Sequence, residues 1–434
     1  VNNRLTRSFL LVAFFFGLDK LFALARQVLV ARSFGVGPEL DAFNAANNLP
    51  DLIFAVISGG AMAVAIVPVL TESLDRDGRA DMWALFSRLA NWAFVITAAL
   101  AILLAVFSTP LVEHVVVPGF TAEYKATTAS LMRLDLIALL IFSISGLVMG
   151  SLQAQKHFFL PALAPILYNA GLIIGVYVLV PAFGIFGLAY GTILGALLHL
   201  LIQVPGLVRH GFRWTPSLDF RSPGVLKAAR LMGPRIVTVA AIQAIFVTTD
   251  FVASGQVAGA ITALAYGWLI LQVPETVIGS ALGTVLLPTL SEIADRGTPA
   301  EMRRMVRRAL GVILLLTLPV VAAGIPLMET AVRLVFEGRA FTADATAMVA
   351  VVARLFLLSL PAHAIIETAA RTFYARQDAR TPLWAAILTA GLFICLCFSL
   401  IGIMGFAGVA LASTLAFTVE TLLLLWLLWK RELI

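Results

Sequence analysis

Pro68-Val-Leu-Thr-Glu-Ser-Leu-Asp-Arg76 returns 220 positions later as Pro288-Thr-Leu-Ser-Glu-Ile-Ala-Asp-Arg296. Both copies close an apolar run with an Asp-Arg step. Two more segments recur at nearly the same spacing. Ala154-Gln-Lys with Pro161 reappears as Ala375-Arg-Gln with Pro382, and Gly184-Ile-Phe-Gly-Leu-Ala189 reappears as Gly402-Ile-Met-Gly-Phe-Ala407, at offsets of 221 and 218. The chain reads as one unit written twice.

The matched points sit among long apolar runs. A membrane-spanning helix needs about 20 mostly apolar residues. Twelve such runs occur, over 8–30, 43–70, 85–107, 130–152, 160–181, 184–205, 231–252, 259–289, 307–328, 345–370, 382–401 and 404–429. Six spans per copy is an even number, so both copies enter the bilayer in the same sense. They are parallel repeats about an axis along the membrane normal. The expected fold is an all-α polytopic membrane protein: twelve transmembrane helices in two parallel six-helix repeats around a central cavity. Residues 1–208 form the N-terminal lobe, 209–229 a cytoplasmic linker and 230–434 the C-terminal lobe.

Composition agrees. Of 434 residues, 61% are hydrophobic and 12% charged, against about 45–50% and about 25% in soluble domains. The first run is longer than a signal-peptide core of about 7–15 residues, so it is expected to remain as the first helix. With the N-terminus cytoplasmic, 22 of the 30 basic residues fall in inside segments or at the span ends that adjoin them. Five fall outside or at the adjoining span ends (Arg32, Lys125, Arg133, Arg333, Arg339), and three lie deeper within spans. Positive charge marks the cytoplasmic side, so both termini are expected there. The net charge of +6 is a topology signal, and no nucleic-acid partner is expected. Cys395 and Cys397 point to different sides of one helix, so no disulfide is expected between them.

Spans 2 and 8 carry internal helix breakers. Pro50, Gly59, Gly60 and Pro68 lie in one, and Pro274, Gly279, Gly283 and Pro288 in the other. Proline removes a helix hydrogen bond, and broken membrane helices are tolerated where they line a cavity or pack inside protein. These positions are candidate hinges.

Charges inside spans mark candidate function, because each costs about 2.5–3.5 kcal/mol on insertion scales. The first span holds Asp19, Lys20 and Arg26, followed by Arg32 and Asp41 at the outer end. Asp19 and Arg26, seven apart, share a face to within about 20°, with Lys20 about 120° around. One reading is a cationic patch for a phosphate-bearing headgroup, since the arginine fork suits phosphate oxygens. The other is an internal Asp19–Arg26 pair with Lys20 snorkelling to the interface. Asp250, Glu275 and Glu367 are candidates for a coupling cation or proton, or else make local hydrogen bonds at helix ends. Arg354 shares span 10 with Glu367.

Enzyme signatures are missing. The five histidines lack metal spacing, Gly35-Val-Gly37 follows no strand, and there is no Walker, His-Glu-x-x-His or Gly-x-Ser-x-Gly sequence. No cofactor, metal or catalytic residue is expected.

Several stretches together resemble the MurJ (MviN) family of lipid II flippases. They are Ala25-Arg26, Ala31-Arg32-Ser-Phe-Gly35, Asp41-Ala-Phe-Asn-Ala-Ala-Asn-Asn-Leu-Pro50, Ser58-Gly-Gly-Ala-Met-Ala-Val-Ala-Ile-Val-Pro68, Leu231-Met-Gly-Pro234, Ala281-Leu-Gly-Thr-Val-Leu-Leu-Pro288 and Phe373-Tyr-Ala-Arg-Gln-Asp-Ala-Arg-Thr-Pro382. That family belongs to the multidrug, oligosaccharidyl-lipid and polysaccharide exporter superfamily. The resemblance implies two lobes around a cationic, lipid-accessible cavity, alternating access, and lipid II as cargo in a bacterial inner membrane. It implies that Arg26 and Lys20 hold the pyrophosphate and that Asp41 shapes the outer gate. The transporter is expected to be a monomer that draws on a coupling ion or the membrane potential. The alternatives are a flippase for another lipid-linked saccharide, a cation-coupled drug exporter of the same fold, or a non-transporting scaffold in wall synthesis.

Overall fold

The computed structural model describes residues 3–57 and 60–434. Helices run through the described residues of the twelve expected segments. In chain order they are α1 (Asn3–Phe34), α2 (Pro38–Ile57), α3 (Gly60–Arg76), α4 (Arg79–Val106), α5 (Ser108–Leu111), α6 (Ala122–Ala154), α7 (Phe159–Ile174), α8 (Val180–Phe183) and α9 (Phe186–Leu201). Then come α10 (Val204–Arg209), α11 (Pro223–Ala253), α12 (Ala260–Glu275), α13 (Ala281–Arg296), α14 (Pro299–Phe336), α15 (Ala343–Leu357), α16 (Leu360–Ala375), α17 (Arg380–Met404) and α18 (Phe406–Lys430). Three π-helical turns, Val112–Val116, Gly175–Leu179 and Thr276–Ser280, interrupt them. Among the described residues, eight helices are long and apolar enough to cross a bilayer, and α15 with α16, bent by 42°, makes a ninth. The expected figure of twelve exceeds this count.

Local chemistry explains several ends. Thr298 and Glu301 form a reciprocal capping box with Pro299 at the first helical position, which starts α14. Thr342 accepts from the Ala345 amide at 3.3 Å and starts α15. Outward faces are apolar: Leu315 is 72% and Ile403 80% exposed. Water would penalise such a surface, and lipid does not.

The chain folds into two compact units. The first comprises Val1–Phe34 and Ala42–Gln243, the second Gly35–Asp41 and Ala244–Ile434. The division falls inside α11, and the short segment after α1 belongs to the second unit.

In the first unit, α6 is the central helix. Leu136, Leu139, Leu147 and Leu152 pack with Trp83, Phe86, Leu89, Leu70 and Leu207. Helices α7 and α9 touch through glycines. A Cβ on Gly171 would lie 2.4 Å from the Gly195 Cα, and one on Gly175 would lie 2.7 Å from the Gly191 Cα. Small residues of this kind let membrane helices pack backbone to backbone. The segment after α10 lies along α4. Asn91 donates to the Thr215 and Ser217 carbonyls, both at 3.0 Å, and Trp83 donates to the His210 carbonyl at 2.9 Å.

In the second unit, Leu286, Leu290, Met302, Val306, Phe373, Leu424 and Leu428 share one core. Trp268, Phe356, His363 and Phe417 form an aromatic cluster beside it.

The two units carry the same turns. Lys156, Gly184 and Gly211 have φ of 61°, 56° and 67°; Gln377, Gly405 and Glu432, each 221 positions later, have 61°, 58° and 56°. The His157 amide reaches the Leu152 carbonyl at 2.9 Å and the Asp378 amide the Phe373 carbonyl at 3.0 Å, both in a Schellman turn. The same bond joins Phe212 to Leu207 at 3.0 Å and Leu433 to Leu428 at 2.9 Å. Structurally, Gly184 therefore corresponds to Gly405, three residues beyond the Gly402 match suggested by sequence.

Candidate functional site

On α1, Lys20 is exposed, while Asp19 and Arg26 are partly buried. Asp19 does not pair with Arg26. Its carboxylate accepts a 2.9 Å hydrogen bond from the Asn169 amide on α7. The Arg26 guanidinium instead lies 5.9 Å from the centre of the Tyr168 ring, within cation–π range. Asn169 also donates to the Pro165 carbonyl at 3.2 Å, which fixes its side chain. Consecutive residues of α7 thus anchor the acid and orient the base separately. The close α7–α9 packing sets this geometry, because the Tyr168 carbonyl is what a Cβ on Gly195 would strike, at 2.6 Å.

Arg32 lies in the last turn of α1, partly buried. Asp41 belongs to the second unit. It is 2% exposed, and its two carboxylate oxygens accept from the backbone amides of Gly259 and Thr262, each at 2.7 Å. Gly259 precedes α12 and has no side chain with which to cap it, so Asp41 supplies the anionic cap from a distant part of the chain. Gly35 and Gly259 make this approach possible. A Cβ on Gly35 would sit 2.2 Å from the Ala340 carbonyl oxygen, and one on Gly259 2.6 Å from the Val36 side chain.

The three coupling candidates lie on separate helices of the second unit. Asp250 is buried near the end of α11, Glu275 is the last residue of α12, and Glu367 on α16 pairs with Arg371 at 2.9 Å. Arg354 donates to the Ile325 carbonyl at 3.1 Å and lies 3.6 Å from Glu329, so this intramembrane charge has partners on α14.

Of the candidate hinges, Pro50 is buried inside α2, which continues helically to Ile57. Gly59 lies outside the described residues, and Gly60 begins α3. Pro274 occupies the last turn of α12, immediately before the π-helical turn Thr276–Ser280. Gly279 sits within that turn, where a Cβ would approach the Ala364 Cα to 3.1 Å. Gly283 is in α13.

Three acidic residues absent from the sequence candidates stand out. Asp51 on α2, Asp135 on α6 and Glu420 on α18 all lie inside apolar spans, and Asp135 and Glu420 are buried. The criterion that singled out Asp19, a charge within an apolar run, would have found them.

A family-wide sequence profile described as Lipid II flippase MurJ matches residues 30–434. The chain belongs to the lipid II flippase MurJ family. A probable lipid II flippase MurJ from Rhizobium tropici is 28% identical over 420 residues, spanning 95% of this chain and 79% of that protein. The lipid II flippase MurJ of Burkholderia cenocepacia is 29% identical over 440 residues, spanning 98% and 84%. A solved lipid II flippase MurJ in an inward closed conformation superposes with a TM-score of 0.84 at 25% identity, covering 98% of this chain and 89% of that one. An inward-facing multidrug transporter of the MATE family gives 0.78 at 14% identity over 95% of this chain, a likeness of fold. The family assignment makes this a multi-pass membrane transporter rather than an enzyme.

Proposed function

We propose that the chain is a lipid II flippase. It moves the undecaprenyl-pyrophosphate-linked sugar-peptide from the inner to the outer leaflet of a bacterial inner membrane by alternating access. The observation that carries this reading is the family match across residues 30–434. The two six-helix repeats, 1–208 and 230–434, act as the rocking lobes with 209–229 as linker and both termini cytoplasmic. The repeated turns 221 residues apart support that division. Arg26 binds the pyrophosphate, with Lys20 and Arg32 adding charge. A dianionic headgroup in a low-dielectric site needs more than one cation, and charge-assisted hydrogen bonds are about twice as strong as neutral ones. Arg26 suits this role because Asp19 is held by Asn169 and does not neutralise it. Asp41 acts on the outer side by fixing the start of α12. Transport draws on a coupling ion or the membrane potential, with Asp250, Glu275 and Glu367 as candidate ligands, and the working unit is a monomer.

The test is complementation. In a bacterium depleted of its own lipid II flippase, this chain should restore growth and cell shape. Continued lysis with the chain present in the membrane at normal abundance would overturn the reading.

A further inference from the structure

Asp135 is 3% exposed in the middle of the first unit, and neither of its carboxylate oxygens has a protein hydrogen-bond partner. An ionised carboxylate in apolar surroundings is strongly disfavoured unless something neutralises it. Its surroundings are defined. Asp51 on α2 is exposed and stands within electrostatic reach of Asp135, and the Tyr168 ring on α7 feels Asp51, Asp135 and Arg26 together. Seven residues further along α6, about 10 Å on, Phe142 stacks edge to face with Phe54 of α2 and with Tyr168, at 5.5 and 5.1 Å. Asp51 is thus the exposed member of the acidic pair and Asp135 the buried one.

Several titratable and charged groups on α6 and on the helices packed around it have partners of their own. His199 of α9 is bonded to Ser145 at 2.6 Å, Arg88 of α4 to Ser222, and Glu72 of α3 to Lys227. Arg133, on α6 itself, donates to Ala105 and Thr109.

We propose that Asp135 is a proton-binding site of the N-terminal unit, with Asp51 as the exposed carboxylate through which the proton enters and leaves. The ligand is a hydrogen ion, taken up by a carboxylate oxygen of Asp51 from water and passed to a carboxylate oxygen of Asp135, then returned by the same route. A metal cation would need several oxygen or nitrogen ligands, and no group of three or more acidic, histidine or cysteine side chains able to hold one occurs among the described residues. Occupancy decides whether α6 carries a buried charge beside α2, so the site gives transport a way to respond to the proton gradient. That coupling role rests on the flippase reading, whereas the protonation of Asp135 does not.

The test uses the full chain, purified and reconstituted, and is read by infrared difference spectroscopy between acidic and alkaline buffer. The wild type should show a protonated-carboxyl band that titrates. Asp135→Asn should lose it, and Asp51→Asn should move its midpoint. Wild-type protein, which needs no substitution to fold, should also be labelled at Asp135 by dicyclohexylcarbodiimide at acidic pH. Absence of the band, its persistence in folded Asp135→Asn, or labelling only at other carboxyls would overturn the proposal. So would loss of the band on adding sodium at constant pH, which would make the site a sodium site. Lipid II transport measured in the same vesicles separates the two readings. A titrating Asp135 in a chain that moves no lipid II would leave the proton site standing and the flippase reading refuted.

Discussion

Asp41 and Thr262 lie 221 residues apart in sequence, yet the Asp41 carboxylate accepts a 2.7 Å hydrogen bond from the Thr262 amide. The same carboxylate caps Gly259, so the start of α12 depends on the segment that follows α1. Asp41→Ala should lower stability by about 1.5–3 kcal/mol, the range for hydrogen bonds to a charged group. Asp41→Asn, which keeps one acceptor, should lose less. Thermal unfolding in detergent measures both. A purely cargo-binding Asp41 would leave both midpoints unchanged.

The repeat places unlike pairs at matching positions. His157 and His210 face each other with ring centroids 5.4 Å apart, and 221 residues later Asp378 and Arg431 form an ion pair at 2.5 Å. Burial, then the nearby His210 and Arg209, lower the pKa of His157 below its ordinary 6.5. The folded chain therefore binds this proton less readily than the unfolded one. The contribution is fully present above about pH 6.5 and is lost as pH falls through the lower folded value. For Asp378, burial acts upward but is outweighed by the bonds from Thr381 and Arg431, which bring its pKa to about 2. That pair is fully formed above about pH 4 and lost only as pH falls toward 2. Between pH 7.5 and 5, amide protection, corrected for the intrinsic pH dependence of exchange, should therefore fall in residues 153–158 and not in 374–379. Equal loss of protection in both turns would contradict the assignment, and His157→Gln should flatten the first response.

Gly195 tests the α7–α9 contact that positions Tyr168 and Asn169. A Cβ there would meet the Tyr168 carbonyl oxygen at 2.6 Å and its ring at 2.8 Å. Gly195→Val should destabilise by about 1–3 kcal/mol through overpacking, whereas Gly391→Val, where nothing lies within 4 Å, should not. Equal thermal midpoints for the two variants would rule out this role for the glycine contact.

The sequence made some of this legible and hid the rest for identifiable reasons. Apolar runs fell on helix throughout the described residues, because length and composition suffice for that. The duplication was visible at Pro68 and Pro288. Its register slipped at Gly184 because Gly402, Gly405 and Gly408 recur every third residue, and only the positive φ of Gly405 identifies the partner. Helical periodicity put Asp19 and Arg26 on one face, but Asn169, a residue of another helix, decides what Asp19 binds. Spacing along one helix carries no information about a neighbour's side chains. Likewise Asp41 stands in the sequence just ahead of the second span, and nothing local announces that its bonds lie beyond residue 258.

Arg26 separates a binding role from a packing role. Because Asn169 holds Asp19, Arg26→Ala should leave the amount of folded protein near normal. It should weaken cargo binding by about 1.5–3 kcal/mol, roughly a 10- to 150-fold loss. Arg26→Lys keeps charge without the bidentate fork and should fall between. Membrane protein level and lipid II transport, read together, decide this. A large drop in folded Arg26→Ala would assign Arg26 a structural role.

The most direct measurement is the leaflet distribution of lipid II in cells whose own flippase has been shut off and replaced by this chain. With the wild-type chain, lipid II should become accessible at the outer face, and with Arg26→Ala at equal abundance it should remain largely inside. Lipid II confined to the inner leaflet while the wild-type chain is abundant and folded would contradict the account.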